Sequence, residues 1–115
     1  MRLIDRVLQN WRARMAKPWI PAGARVLDIG CHEGEFLHSL GRHIGPSVGY
    51  DPLAPVSNSS RHQLVSEIFA APSEYPDDSF DAVVMLATLE HVHEKEPLAR
   101  EFFRILTPGG GPVAQ

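Results

Sequence analysis

The stretch Arg25-Val26-Leu27-Asp28-Ile29-Gly30-Cys31-His32-Glu33-Gly34 decides the fold. Residues 25–29 form a short apolar run rich in β-formers, interrupted by one carboxylate and closed by Gly30. Such a run reads as a buried strand. From Glu33 to Ile44 the apolar residues Phe36, Leu37, Leu40 and Ile44 recur at helical steps until Gly45-Pro46 breaks the pattern. Working outward, Ser47 to Tyr50 reads as a second strand, ending at Asp51-Pro52. Leu53 to Ser60 is rich in Pro, Ser and Asn and reads as loop. Gln63 to Phe69 is a third strand, and Ala70 to Ser79 a polar loop with prolines. Phe80 to Leu86, with Ala82 to Leu86 continuously apolar, is the clearest strand. Pro97 to Leu106 carries Leu98, Phe102, Ile105 and Leu106 at helical steps, and Thr107 to Pro112 ends that helix. Strands that alternate with helices, and are apolar along their length, form a parallel sheet covered on both faces. Right-handed crossovers then give an α/β, Rossmann-like, doubly wound parallel sheet of about four strands.

The 115 residues suffice for a single domain spanning 1–115. With 43% hydrophobic residues, the chain can build a core. No apolar run approaches the ~20 residues that cross a bilayer, so no integral membrane segment is expected. A net charge of −3 argues against broad nucleic-acid binding. One cysteine, Cys31, excludes an internal disulfide framework and any multi-cysteine zinc site, and fits a cytoplasmic, reducing location.

Charge is uneven at the start. Residues 1–17 carry Arg2, Arg6, Arg12, Arg14 and Lys17 against Asp5, with Leu3, Ile4, Val7, Leu8, Trp11 and Met15 at three- and four-residue steps. That is an amphipathic helix, ended by Pro18 and Pro21. It can pack on the domain, lie on an anionic membrane surface, or serve as an arginine-rich targeting segment.

In a doubly wound sheet, ligands bind beyond the carboxyl ends of the strands where the strand order reverses. Gly30 and Gly34 allow a sharp turn there and a close approach to a ligand. Asp51, 23 residues after Asp28, sits at the end of the second strand, where a carboxylate can accept hydrogen bonds from both hydroxyls of a ribose. Together these features point to a nucleoside-bearing cofactor. The window from Gly30 to Gly34 does not match the G-x-G-x-x-G dinucleotide fingerprint, and there is no lysine-bearing phosphate loop, so an NAD module is the weaker reading.

Residues 26–37, Val26 through Leu37, resemble the first motif of class I S-adenosylmethionine-dependent methyltransferases. Gly49-Tyr50-Asp51-Pro52 is similar to their second motif. Residues 75–84 resemble the entry to their fourth strand, and Arg104 to Gly110 the approach to their fifth. Leu89-Glu90-His91-Val92 is similar to the segment after the fourth strand in the ubiquinone-biosynthesis-type, small-molecule branch. The resemblance runs from about Trp19 to Gly110. It implies S-adenosylmethionine as cofactor and a small-molecule methyl acceptor as partner. It places Asp28, Gly30, Cys31, His32 and Gly34 at the methionine part of the cofactor, and Asp51 with Pro52 at the ribose. The loop Phe69 to Ala71, with Ala70 at its centre, would flank the adenine. Backbone carbonyls of Met85 and Leu86 would face the ammonium.

Relatives often have glycine in place of His32 and an acid near Phe69. The family continues through further strands, whereas this chain is expected to stop at Gln115 just where a fifth would begin. The fourth strand would then be an exposed edge, inviting homo-oligomer formation or marginal stability. With the acceptor half missing, a non-catalytic domain that binds the cofactor or a partner chain is the alternative to an enzyme. His91 is the candidate general base. Glu90, His91, His93 and Glu94 have metal-ligand side chains but lack the four-residue spacing of a helical zinc pair, so no metal is expected. Cys31 reads as a small buried residue rather than a nucleophile. His38, His43 and His62 read as ordinary polar positions, and Trp11 and Trp19 as packing residues.

Overall fold

The computed structural model describes residues 17–31, 34–55, 61–85 and 95–114. The expected helix over 1–17 lies outside them except for Lys17, which opens a short 3-10 turn, Lys17–Trp19. Five strands follow: β1 (Val26–Ile29), β2 (Val48–Tyr50), β3 (Gln63–Val65), β4 (Phe80–Met85) and β5 (Leu106–Ala114). Among the described residues two helices accompany them, α1 (Glu35–Leu40), extended by a 3-10 turn Gly41–His43, and α2 (Lys95–Ile105). The sheet is parallel throughout, in the order β3-β2-β1-β4-β5. The Rossmann-like α/β sheet read from the sequence is therefore the observed architecture.

Side chains two apart on a strand share a face, and neighbours oppose. Val26, Ala82 and Val84 accordingly pack with Ile20, Ala24, Phe36, Leu37, Leu40 and Ile44 under α1. Leu27, Val83 and Met85 pack on the other face with Phe69, Phe80, Leu98, Phe102 and Ile105, under α2. Val26, Leu27, Val83 and Val84 are fully buried. At ~25 cal/mol per Å2 of apolar surface removed from water, such two-sided burial is the main source of the sheet's stability. Trp19, which the sequence reads as a packing residue, is instead largely exposed.

One expectation fails. The chain does form a fifth strand, and β4 lies inside the sheet, paired to β1 on one side and β5 on the other. The count is five strands rather than four, and the exposed-β4 route to a homo-oligomer loses its basis. The misleading signal was Thr107-Pro108-Gly109-Gly110-Gly111-Pro112. Proline has no N–H for a ladder, but an edge strand can turn that side away from its neighbour. Among the described residues β5 is such an edge. Its register jumps from Phe80↔Leu106 to Ala82↔Gly111, so residues 107–110 are accommodated in an irregularity opposite Asp81. The third strand is also shorter than expected. It ends at Val65, leaving Phe69 in the following loop, where it is buried in the α2-side core. Among the described residues no helix is long and apolar enough to cross a membrane.

Candidate functional site at the carboxyl ends of the strands

The strand order reverses at β1, whose sequence successor β2 lies on one side and β4 on the other. Ile29 is level with both Tyr50 and Met85, and Tyr50 with Val65. The next residues along the chain therefore make one rim: Gly30, Asp51 and the start of the loop after β3. Leu86 belongs to this rim by sequence but lies outside the described residues, as does His32.

Gly30 has φ 84° and Gly34 φ 87°, in the left-handed region where other residues are strained. These two positions let β1 leave the sheet, fold over β2 and start α1 within five residues. The turn is tied down by the Gly30 and Cys31 N–H groups, which donate to the Tyr50 carbonyl at 2.8 and 3.2 Å, and by Gly34 N–H to the Cys31 carbonyl at 2.8 Å. It is also tightly packed. A Cβ on Gly34 would lie 2.9 Å from both methyl groups of Leu64, and one on Gly49 2.8 Å from Cys31 Cβ and Sγ. Gly49 was missed by the sequence reading. A glycine inside a strand signals close approach of another part of the chain, which is the clue that would have found it.

Acidic groups surround this turn. Asp28 is 1% exposed and Asp51 7%. Asp51 accepts the Leu53 N–H on Oδ1 at 2.8 Å, an Asx turn that fixes the carboxylate against the start of its own loop. Glu35, on the first turn of α1, has both carboxylate oxygens shielded from solvent, with no hydrogen-bond partner to either among the described residues. Burial pushes the Cys31 thiol up to about 12, and the charges of Asp28, Asp51 and Glu35 push in the same direction. Cys31 is therefore a neutral, buried thiol, packed with Ala54 and Leu64, as its sequence context suggested.

Pro52 is exposed, and its carbonyl accepts the Ser66 hydroxyl at 3.1 Å, linking the loops after β2 and β3. Ala70 is exposed beside buried Phe69. The Phe69 ring meets Tyr50 edge-on at 5.1 Å, which holds the Phe69–Ala71 segment near the end of β2. Met85 is buried at the tip of β4. The structure thus gathers Asp28, Gly30, Cys31, Gly34, Asp51, Pro52 and Met85 at one rim, with Ala70 in the loop beside it. Glu90, His91, His93 and Glu94 lie outside the described residues; among those described, no cluster of three or more His, Cys, Asp or Glu is placed to hold a metal.

The glycine turn and buried acids lie at the reversal point of a parallel sheet, the place where doubly wound folds bind ligands. Comparison with known proteins narrows the class. A family model described as a methyltransferase domain matches residues 2–113, and the chain belongs to that family. It is 35% identical over 113 residues to the ubiquinone/menaquinone biosynthesis C-methyltransferase UbiE of Hahella chejuensis, covering 86% of this chain and 45% of that enzyme. It is 33% identical over 98 residues to the ubiquinone biosynthesis O-methyltransferase of Pseudomonas fluorescens, covering 77% of this chain and 42% of that one. The chain thus spans less than half the length of these relatives. Among solved structures, an S-adenosylmethionine-dependent methyltransferase from Mesorhizobium loti superposes with a TM-score of 0.71 at 24% identity, over 92% of this chain and 52% of that one. A putative methyltransferase in complex with the Trm112 activator of Haloferax volcanii gives 0.72 at 22% identity, over 92% and 52%. These superpositions carry the fold.

Proposed function

We propose that the chain is the cofactor-binding part of an enzyme that transfers a methyl group from S-adenosylmethionine to a small-molecule acceptor. The observation that carries this reading is the placement of a buried, loop-anchored carboxylate, Asp51, beside a glycine turn at the point where the strand order reverses. The residues suit this cofactor. Gly34 and Gly49 keep Leu64 and Cys31 close by, so the turn has no room for side chains at those positions. The acidic side chains Asp28, Asp51 and Glu35, gathered around the turn, suit a ligand that carries an ammonium and a sulfonium. When bound, S-adenosylmethionine supplies an electrophilic methyl group on a cationic sulfur.

Each part of the rim then has a task. Asp28 and the Gly30–Gly34 backbone, with Cys31 and His32, hold the methionine portion. Asp51, with Pro52 beside it, would hold the two ribose hydroxyls while its Oδ1 keeps the Leu53 N–H. Phe69 to Ala71 flank the adenine. The carbonyls of Met85 and Leu86 accept from the ammonium. The protein's contribution is alignment for an in-line displacement. The relatives, whose names place them in ubiquinone and menaquinone biosynthesis, support a small-molecule acceptor.

Titration calorimetry with S-adenosylmethionine and S-adenosylhomocysteine tests the binding half. Saturable 1:1 binding of both is expected, and a flat titration with both ligands overturns it. Transfer of labelled methyl groups to a panel of phenolic and quinol acceptors tests the catalytic half. Binding without transfer to any acceptor in the panel would leave the domain as a non-catalytic binder.

A further inference from the structure

The loop over residues 66–79, between β3 and β4, is held chiefly by α2. The Ser73 N–H donates to Glu101 Oε2 at 2.7 Å, and the Ser73 hydroxyl donates to the same oxygen. Arg104 Nη2 donates to that oxygen at 2.7 Å and to the Tyr75 carbonyl at 2.6 Å. Arg104 Nη1 reaches Asp77 Oδ1 at 2.8 Å, and the Asp78 N–H donates to the Arg104 carbonyl at 3.2 Å. Glu101 is only 6% exposed yet stays ionised, because the Arg104 guanidinium and the Ser73 donors outweigh the cost of burial and hold its carboxyl at about 2.

From this anchor the contacts run to both sides of the candidate site. The Tyr75 ring stacks with Phe69 (centroids 6.4 Å, 20° between planes), and Phe69 stacks with Phe102 of α2 (5.8 Å, 24°). The Tyr75 hydroxyl is 2.8 Å from that of Tyr50. Tyr50 precedes Asp51, and its carbonyl accepts the N–H groups of the glycine turn. The loop therefore cannot slide along the sheet without breaking bonds to α2 and to the end of β2.

Resting on the reading of the preceding section, we propose that Glu101 is a positioning residue for recognition of the cofactor's base. Through Ser73 and Arg104 it holds the 66–79 loop so that Phe69 to Ala71 stand ready beside the adenine. An unanchored loop would have to be ordered by the ligand, and that ordering cost would be subtracted from affinity. The cost would fall most heavily on contacts that the loop itself makes, which are those to the base.

The test uses Glu101→Gln, which keeps the side chain's size but removes the charge. Calorimetry is run with S-adenosylhomocysteine and with S-inosylhomocysteine, in which a 6-oxo group replaces the 6-amino group and N1 becomes a donor. The expected result is about a ten-fold rise in Kd for the adenosine compound and a smaller rise for the inosine one, so that discrimination between them shrinks. In turnover the loss should appear in KM for the cofactor, with kcat changed less than about two-fold. Hydrogen exchange without ligand should show faster exchange at the Ser73 and Asp78 amides, with the β1 and β4 amides unchanged. If Glu101→Gln does not fold, Ser73→Ala removes one bond to Glu101 and keeps the Arg104 pair. About a three-fold rise in Kd and the same loss of discrimination are then expected. Wild-type protein that binds neither compound defeats the cofactor reading itself. Wild-type binding with unchanged Kd and unchanged discrimination in the variants leaves that reading standing and overturns the role given to Glu101.

Discussion

At the amino-terminal rim of the sheet, polar groups are bonded inward to the protein; at the carboxyl rim they are gathered around a turn. On the first rim, the Val26 N–H donates to Ser47 Oγ at 2.9 Å, and that hydroxyl donates to the Gly45 carbonyl at 2.8 Å. The Ser47 N–H donates to His62 Nδ1 at 3.1 Å, and His62 Nε2 pairs with the Gly41 carbonyl at 3.2 Å. Asp81 accepts from the Arg25 N–H at 2.8 Å, from Arg25 Nε at 3.3 Å and from Thr107 Oγ1 at 3.1 Å, joining β1, β4 and β5. The second rim has left-handed glycines, a shielded Glu35 side chain and the buried Asp28 and Asp51. The difference teaches that one end of this sheet is closed by its own hydrogen bonds, while the other keeps the turn and acids to which the proposed function assigns the cofactor. Substitutions on the first rim should change folding alone, and those on the second should change binding.

The largest effect is expected at Gly34→Val, which would break the carboxyl rim outright. A β-branched residue at φ 87° is strained, and its Cβ would press on Leu64. A loss of about 3 kcal/mol in urea denaturation is expected, together with loss of measurable cofactor binding. Ser47→Ala sharpens the contrast from the other rim. It leaves the buried Val26 N–H without its acceptor, which should cost about 2 kcal/mol while the cofactor Kd stays within two-fold. Asp51→Asn should do the reverse. The amide oxygen can still take the Leu53 N–H, so stability should move by less than about 0.5 kcal/mol. The charge is lost, and the Kd for S-adenosylmethionine should rise about ten-fold or more by calorimetry, that is about 1.4 kcal/mol. Arg25→Gln should cost less than about 1 kcal/mol, because its ion pair with Asp81 is half exposed.

A pH series probes the first rim further. Burial, with the charges of Arg61 and His38, lowers the His62 pKa below 6.5 despite the bond to the Gly41 carbonyl, so the fold favours neutral imidazole. Its contribution to stability is complete above the unfolded-state value and is lost as pH falls through the lower folded one. The urea midpoint should therefore fall on acidification below about pH 6.5, and His62→Asn should flatten that decline. A midpoint that rises on acidification would contradict the assigned role. A second decline, from Glu101, should begin below about pH 4.5 and continue toward 2.

The history of individual residues shows how far the chain could be read. The β1 run, the glycine turn and the α1 stripe were legible because one face of each is apolar at a fixed period and the turn needs glycine. Asp28, Asp51 and the rim they share followed from strand ends and spacing. His62 was read as an ordinary polar position, yet it is buried, because Ser47 and Gly41 reach it only across separate elements. Glu101 and Ser73 are 28 positions apart, and nothing local in either segment announces their bond. Phe69 closes the strand read over Gln63 to Phe69, yet β3 ends at Val65 and the Phe69 ring joins Tyr50, Tyr75 and Phe102 in the loop core.

By itself the sequence determined the succession of elements from β1 to α2, the faces they bury and the turn that opens the carboxyl rim. These depend on neighbours within one or two turns of chain, which periodicity and glycine placement record directly. Only the tertiary structure decided that Leu106–Ala114 would pair with β4, that His62 would seal one rim, and that α2 would hold the loop at the other. Pairing of a segment this rich in proline and glycine depends on a vacant edge beside it, and hydrogen bonds between distant side chains depend on where the core places them. Neither is a property of the segment alone.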